Sequence, residues 1–247
     1  MSHRFFVAPP IQGKTAALDG PEAHHAIHVM RVGPGDRLLL FDGSGVEFAA
    51  SVEAIRRDRV ELRVLSRAEI DRELAVDLTL GVSLPKGDRQ RWLVEKAVEL
   101  GVRRIVPLVT ARSVARPATG ALGRLRRTVI ETSKQCGRNR LAEIAEPQGW
   151  TEFVAAGPED AVRLLAHPSE AAAMGRPPLE VLASGKLAEL APSHTVLLAV
   201  GPEGGFTGEE IAAATSAGWE QIHLGSRTLR TETAAVLLVA LAACHAP

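Results

Sequence analysis

Hydrophobic and polar positions change their rhythm near residue 74. Before that point, short β-rich runs at 4–7, 36–41, 47–55 and 59–65 predict strands. Gly33-Pro34-Gly35 and Asp42-Gly43-Ser44-Gly45 supply turn chemistry between them, and one short helix is expected over 21–31. Short strands joined by tight turns predict a small barrel. The charge-rich stretch 67–73 reads as a linker.

Beyond residue 74, strands and helices alternate. Strands are expected over 74–83, 105–109, 161–166, 195–200 and 221–224. Helices are expected over 88–100, with Trp92, Val94, Ala97 and Val98 as its apolar positions, and over 122–136, 207–217 and 232–244. This alternation predicts an α/β fold with a mostly parallel sheet and helices on both faces. No internal repeat is visible, and the one biased tract is the Ala/Pro-rich stretch 168–185.

The bulk composition narrows the setting. The chain has 247 residues, enough for one large domain or two modest ones, with 46% hydrophobic and 23% charged residues. No basic-then-apolar leader opens it, so no signal peptide is expected. The longest apolar run, 234–243, falls well short of the roughly 20 residues that span a bilayer. Cys136 and Cys244 are the only cysteines and nothing pairs them, which predicts a reduced, cytoplasmic setting. Net charge is zero, yet residues 85–145 carry 14 Lys/Arg against 5 Asp/Glu, and residues 146–247 carry 5 against 12. Such asymmetry predicts one face that meets a polyanion. Tyrosine is absent and other aromatics are few, so a base-stacking platform is not expected.

The chemistry gathers in two loops. Residues 195–206, TVLLAVGPEGGF, are an apolar strand breaking into a glycine loop that carries one carboxylate, Glu203. Thr207-Gly-Glu-Glu210 then reads as a capping box that starts a helix. The short run 219–224, with Trp219, Ile222 and Leu224 as its apolar positions, breaks into a second loop, LGSRTLRTETA at 224–234, carrying Arg227, Arg230 and Glu232. Paired strands ending in glycine-bearing polar loops build a ligand crevice at the carboxyl edge of an open α/β sheet. The spacing is not the dinucleotide fingerprint, and no ribose-binding acid follows it. Thr231 is expected to N-cap the last helix, with Glu232 near its positive end. Forked guanidinium donors at Arg227 and Arg230 suit a carboxylate or phosphate.

Elsewhere, 133–140 (SKQCGRNR) ends a basic helix at Gly137 and sets out Arg138, Asn139 and Arg140, a pattern suited to gripping phosphate and reading a base edge. Cys136 reads as an inert thiol, since no His neighbours it in sequence. His24, His25 and His28 lack the further ligands of a metal site, and a structural or RNA-contacting role is expected of them instead. Neither a Ser/His/Asp order nor a GxSxG elbow is present, which argues against a hydrolase.

Four ordered motifs, EKAVELGVRRIVPL at 95–108, KQCGRNR at 134–140, GPEGGF at 201–206 with Glu210-Ile211, and LGSRTLRTETA at 224–234, resemble the RsmE family. These are bacterial 16S ribosomal RNA (uracil-N3) methyltransferases of the SPOUT superfamily. The HRFFV opening and the HHAIHVMRVGPGD segment extend the resemblance over essentially the whole chain. Two departures are slight: Ala111 stands where an acidic residue is common, and Ala142 where proline often is.

The resemblance implies an N-terminal PUA-like β-barrel at 1–71, binding RNA, and a SPOUT domain at 72–247 with a deep trefoil knot, working as a cytoplasmic homodimer without metal or membrane. It implies S-adenosyl-L-methionine as cofactor, held by Leu198, Val200, Gly201, Gly204, Gly205, Leu224, Gly225, Ser226 and Leu229. It further implies that Arg230 stabilises negative charge on a uracil oxygen and that Glu203 or Glu232 accepts the N3 proton. Arg4, Lys86, Arg138, Asn139 and Arg140 are then the contacts to 16S rRNA in the small ribosomal subunit. Two other readings stay open: a SPOUT methyltransferase acting on another RNA or on a ribose 2′-hydroxyl, and a non-catalytic RNA-binding assembly factor.

Overall fold

The structure, a computed structural model, describes residues 3–8, 10–113, 119–167 and 192–245; the Ala/Pro-rich tract 168–185 lies outside the described residues. The chain divides into two compact units, one of residues 1–73 with 130–141 and the other of residues 74–129 with 142–247. The first unit therefore takes in a segment, 130–141, that the sequence places with the second.

In the first unit, β1 (Arg4–Phe6), β2 (Thr15–Asp19), β3 (Arg37–Phe41), β4 (Val46–Arg56) and β5 (Arg59–Glu69) form one sheet in the order β1-β3-β4-β5-β2. β1 runs parallel to β3, and the other pairs are antiparallel. Alternate residues such as Leu38 and Leu40, Val60 and Leu62 turn to a core shared with Phe5, Leu18 and Phe48. Two register shifts bend the β4–β5 ladder. β5 runs through Arg67–Glu69, the first three residues of the stretch expected as a linker, because those residues pair with Phe48, Glu47 and Val46. Cross-strand pairing there overrides a charged composition. β2 was not foreseen: its TAALD sequence is poor in β-branched and aromatic residues and buries only Leu18. The expected 21–31 helix is α1 (Gly20–His24) followed by a short π-helix at His25–Val29.

The second unit is a wholly parallel sheet. Its strands are β6 (Asp77–Val82), β7 (Arg104–Val109), β8 (Glu143–Ile144), β9 (Gln148–Gly149), β10 (Val162–Ala166), β11 (Thr195–Val200) and β12 (Glu220–Ile222). The order is β12-β10-β11-β6-β7-β8, with β9 also on β7. The helices are α2 (Asp88–Glu99), α3 (Thr119–Cys136), α4 (Trp150–Val154), α5 (Gly208–Ser216) and α6 (Thr231–Ala243). α3 crosses the division between the units, its residues from Ile130 onward belonging to the first.

Both faces of this sheet are covered, as near-continuous apolar strands require. Leu197 and Ala199 of β11 enter a cluster with Trp150, Phe153, Phe206 and Trp219. Leu198 and Val200 alternate to the opposite face. On that face, α6 packs on β6 and β11 and is itself packed by α2. α2 buries Leu93, Val94, Ala97 and Val98, so Trp92, expected in the core, lies outside it at 42% exposure. α4 seats Phe153 over Gly81, where an added Cβ would lie 2.3 Å from the ring. Neither α4 nor the two-residue strands β8 and β9 carry enough periodicity to be read from sequence.

Candidate functional site

The carboxyl ends of β10, β11 and β12, which are neighbours in the sheet, open into one pocket. Its parts are Ala166 and His167 after β10, the 200–206 loop after β11, and 224–231 after β12. Each loop is held from behind. Gly201 lies against the Phe206 ring, where an added Cβ would approach to 2.9 Å, and Phe206 packs on Trp150 with centroids 4.3 Å apart. The Gly205 amide, at φ 69°, closes a turn by donating to the Pro202 carbonyl at 2.8 Å. Arg112 donates to the Gly204 carbonyl at 2.7 Å, and the Ala111 amide donates to Glu210 at 2.7 Å. The capping box forms as expected: Thr207 and Glu210 each accept from the other's backbone amide.

One bond ties the two loops together. The Thr231 hydroxyl donates to the Gly201 carbonyl at 3.2 Å. This corrects the expected cap: Arg230 holds the N-cap position of α6, without a side-chain cap bond, and Thr231 is the first helical residue. A hydroxyl held by the neighbouring loop is not free to turn back along its own helix.

Of the nine cofactor positions inferred by resemblance, Val200, Gly201, Gly205, Leu224, Gly225 and Leu229 line the pocket. Leu198 does not: it is buried inside β11, short of the strand end. Gly204 has its carbonyl turned to Arg112, and Ser226 lies on the exposed part of the loop, outside the lining. The sequence reading missed His167. It directly follows a strand that was foreseen, and the carboxyl-edge rule applied to that strand would have found it. Burial lowers the His167 pKa below the ordinary imidazole value, so this half-buried ring favours its neutral form beside the pocket.

The acidic candidates differ in setting. Glu203 lines the pocket, with its side chain 47% exposed. Glu232 lies outside the lining, in the first turn of α6, with its side chain 9% exposed and Oε2 lacking a hydrogen-bond partner among the described residues. A residue the sequence reading did not select joins them: Arg89 of α2 stands within ion-pair range of both. Arg230 is exposed and absent from the lining, whereas Arg227 is part of it.

Three expected RNA contacts are turned inward. Arg4 pairs with Glu47, donates to the Arg138 carbonyl and the Asn139 side chain, and lies 4.5 Å from the Phe41 ring centroid. Burial lowers its pKa, against the support of Glu47. Arg138 is buried against Glu73, and Asn139 donates to the Ile70 carbonyl at 3.0 Å. All three knit the first unit together, so this arrangement does not offer them to RNA. Lys86 and Arg140 are exposed. Among the described residues no group of three His, Cys, Asp or Glu converges as a metal site; the His24 and His28 rings lie 4.6 Å apart, tilted by 46°.

The pocket suits an adenosyl ligand. Val200, Leu224, Leu229 and Phe206 offer apolar contact, glycines leave backbone groups approachable, and open space surrounds the positions where a Cβ would project from Gly205 and Gly225.

Family comparison agrees with this geometry. Residues 72–243 match a model described as an RNA methyltransferase domain, and residues 18–65 one described as an RNA methyltransferase PUA domain. Ribosomal RNA small subunit methyltransferase E of Synechocystis is 32% identical over 97% of this chain and 77% of its own length. The crystal structure of a ribosomal RNA small subunit methyltransferase E from Neisseria gonorrhoeae, bound to S-adenosyl methionine, is 31% identical. It superposes with a TM-score of 0.82 over 97% of this chain and 96% of its own. A Legionella pneumophila protein solved with bound SAM is 30% identical, with a TM-score of 0.85 over 98% and 97% of the two chains.

Proposed function

The chain belongs to the RNA methyltransferase family that includes ribosomal RNA small subunit methyltransferase E, and on that premise we propose that it methylates N3 of a uridine in 16S rRNA, using S-adenosyl-L-methionine. The observation that carries the reading is the convergence of the β11 and β12 loops on an apolar pocket with a carboxylate, Glu203, at its wall. Backbone groups of Leu224, Gly225 and Leu229 hold the adenine there. The sulfonium supplies an already activated methyl group, so the protein's task is orientation and handling of one proton. A uracil N3–H is a weak acid and is lost before or during transfer. Glu203, at the pocket, accepts that proton. Glu232, outside the lining and buried, acts on the site only through Arg89. Arg230 stabilises charge on one uracil oxygen from the exposed side.

RNA is held by exposed cations, Lys86 and Arg140 among them, together with the PUA-type unit. The protein acts as a cytoplasmic homodimer. α6 supports this: it is apolar around its circumference, and Leu237 is exposed on it, as Trp92 is on the adjoining α2. The trefoil knot belongs to the same reading, supported by a sheet order in which the chain leaves β11, passes beyond β10 and adds β12 on the far side. Incubation with methyl-tritiated S-adenosylmethionine and unmethylated small ribosomal subunits tests the function. Label in 16S rRNA is expected. Label in transfer RNA instead, or in no RNA, overturns the proposal.

A further inference from the structure

The same sheet edge opens a second cavity, of about 150 Å³, beside the first. Its walls are Ser83 to Lys86 and Arg89 after β6, Ser113 after β7, and Pro202 and Glu203 after β11. β11 stands between β10 and β6 in the sheet, so its loop is a partition: Pro202 and Glu203 line both cavities. Transfer of a methyl group needs donor carbon and acceptor atom about 3–3.5 Å apart and in line. An acceptor site must therefore abut the donor pocket, and this cavity does so through the wall that carries the carboxylate.

We propose that this second cavity receives the acceptor pyrimidine ring of the RNA, with Glu203 on its N3–H and Arg89 on a carbonyl oxygen beside N3. The assignment rests on the methyltransferase reading above and says where that enzyme holds its second substrate. Size agrees: a cavity of roughly 150 Å³ takes a single six-membered ring. The chemistry of the walls agrees as well. Leu84, Pro85 and Pro202 offer apolar contact to the faces of a planar ring, while Ser83, Ser113, Arg89 and Glu203 offer polar contact to its edge. Uracil carries one donor, N3–H, between two acceptors, and Glu203 and Arg89 supply the complementary acceptor and donors. Lys86, exposed at the rim, meets the backbone phosphate.

Arg89 is held for this role from behind. Its Nη1 lies 3.7 Å from Oε1 of the buried Glu232, and its Nη2 lies 3.5 Å from Oε1 of Glu203. A guanidinium has five N–H donors, so two ion pairs leave others free for a carbonyl oxygen. The step balances. The N3–H bond breaks and its proton passes to Glu203; the N3 electron pair forms the bond to the methyl carbon; the carbon–sulfur pair stays on sulfur, which leaves as a neutral thioether. Negative charge spread onto the uracil oxygens during transfer faces Arg89.

The test compares native protein, Arg89→Ala and Arg89→Lys on unmethylated small ribosomal subunits. Turnover should fall on the order of a hundredfold in Arg89→Ala, with partial rescue by Arg89→Lys. Calorimetric affinity for S-adenosylmethionine should stay within about twofold, since Arg89 is absent from the donor pocket. Arg89→Ala strips the buried Glu232 of its cation and lowers the melting temperature, so turnover is compared at a temperature where every variant is folded. A second measurement needs no variant: native protein irradiated with 4-thiouridine-substituted 16S rRNA should form crosslinks within 83–89, 113 or 202–203. Native turnover in Arg89→Ala, donor affinity falling in step with turnover, or crosslinks that spare all of those residues overturns the assignment while leaving the functional reading intact. Failure of the native protein to methylate any rRNA overturns both.

Discussion

Arg89 stands between Glu203 and Glu232, 3.5 Å from one carboxylate and 3.7 Å from the other. The three residues come from three separated parts of the chain: the start of α2, the loop after β11 and the first turn of α6. Because Glu232 is buried and Glu203 lines the pocket, two acids that look alike in sequence acquire different duties. One stands beside the cation from the buried side; the other lines the pocket.

That difference predicts a split between two conservative substitutions. Glu203→Gln should lower turnover by about a hundredfold or more and leave the melting temperature almost unchanged. Glu232→Gln should cost about 1–2 kcal/mol in stability, since a buried carboxylate in the first turn of a helix loses both its cation and the helix dipole. Chemical denaturation and single-turnover kinetics on both proteins check this.

Two loop glycines should fail for different reasons. In Gly201→Ala the new methyl meets the Phe206 ring, a steric conflict of about 1–3 kcal/mol. Gly225→Ala meets nothing within 4 Å, yet φ there is 103°, a conformation that costs a side chain about 1–3 kcal/mol. Both should weaken donor binding by calorimetry. Only Gly201→Ala should disturb the packing of Trp150, seen as a change in tryptophan fluorescence.

His167 sets a pH dependence. Burial lowers its pKa in the folded protein, so the unfolded chain takes up a proton first as pH falls. Stability from this residue is complete above the unfolded value, about 6.5, and declines as pH drops below it, levelling off below the folded pKa. Protonation also sets a cation beside a sulfonium ligand. Affinity for S-adenosylmethionine should therefore be flat above neutrality and fall in acid, and His167→Asn should flatten the profile.

Arg138 and Arg140 are two residues apart and should behave oppositely. Arg138→Ala leaves Glu73 without its buried partner and should cost about 3 kcal/mol, read as a lower melting temperature. Exposed Arg140→Ala should leave stability unchanged, weaken RNA binding and reduce the slope of log affinity against log salt by about one.

What could be read from the sequence follows from what is local. The β11 loop was legible because an apolar run, a glycine break and a helix cap are all sequence-adjacent. The β12 loop was legible from Gly225 and its two arginines, while its expected cap was misplaced by one residue. The alternation after residue 74 gave the parallel sheet by the same logic. Arg89 was not legible, because its partners lie more than a hundred residues away and an arginine on a helix looks like a solvated one. Arg4, Arg138 and Asn139 misled for the converse reason. Polar side chains that follow the Gly137 helix end, and an arginine near the start of the chain, resemble RNA contacts until the fold supplies Glu47, Glu73 and the Ile70 carbonyl. Trp92 fell outside the core because α2 buries its stripe one residue further on, at Leu93.

The most direct test of the central claim is the identity of the methylated nucleoside. After reaction of the native protein with S-adenosylmethionine and unmethylated small ribosomal subunits, 16S rRNA is digested and its nucleosides are separated by mass spectrometry against standards. The account predicts a single new product, 3-methyluridine, at one position. A methyl group on ribose, on another base, or on no nucleoside at all contradicts it.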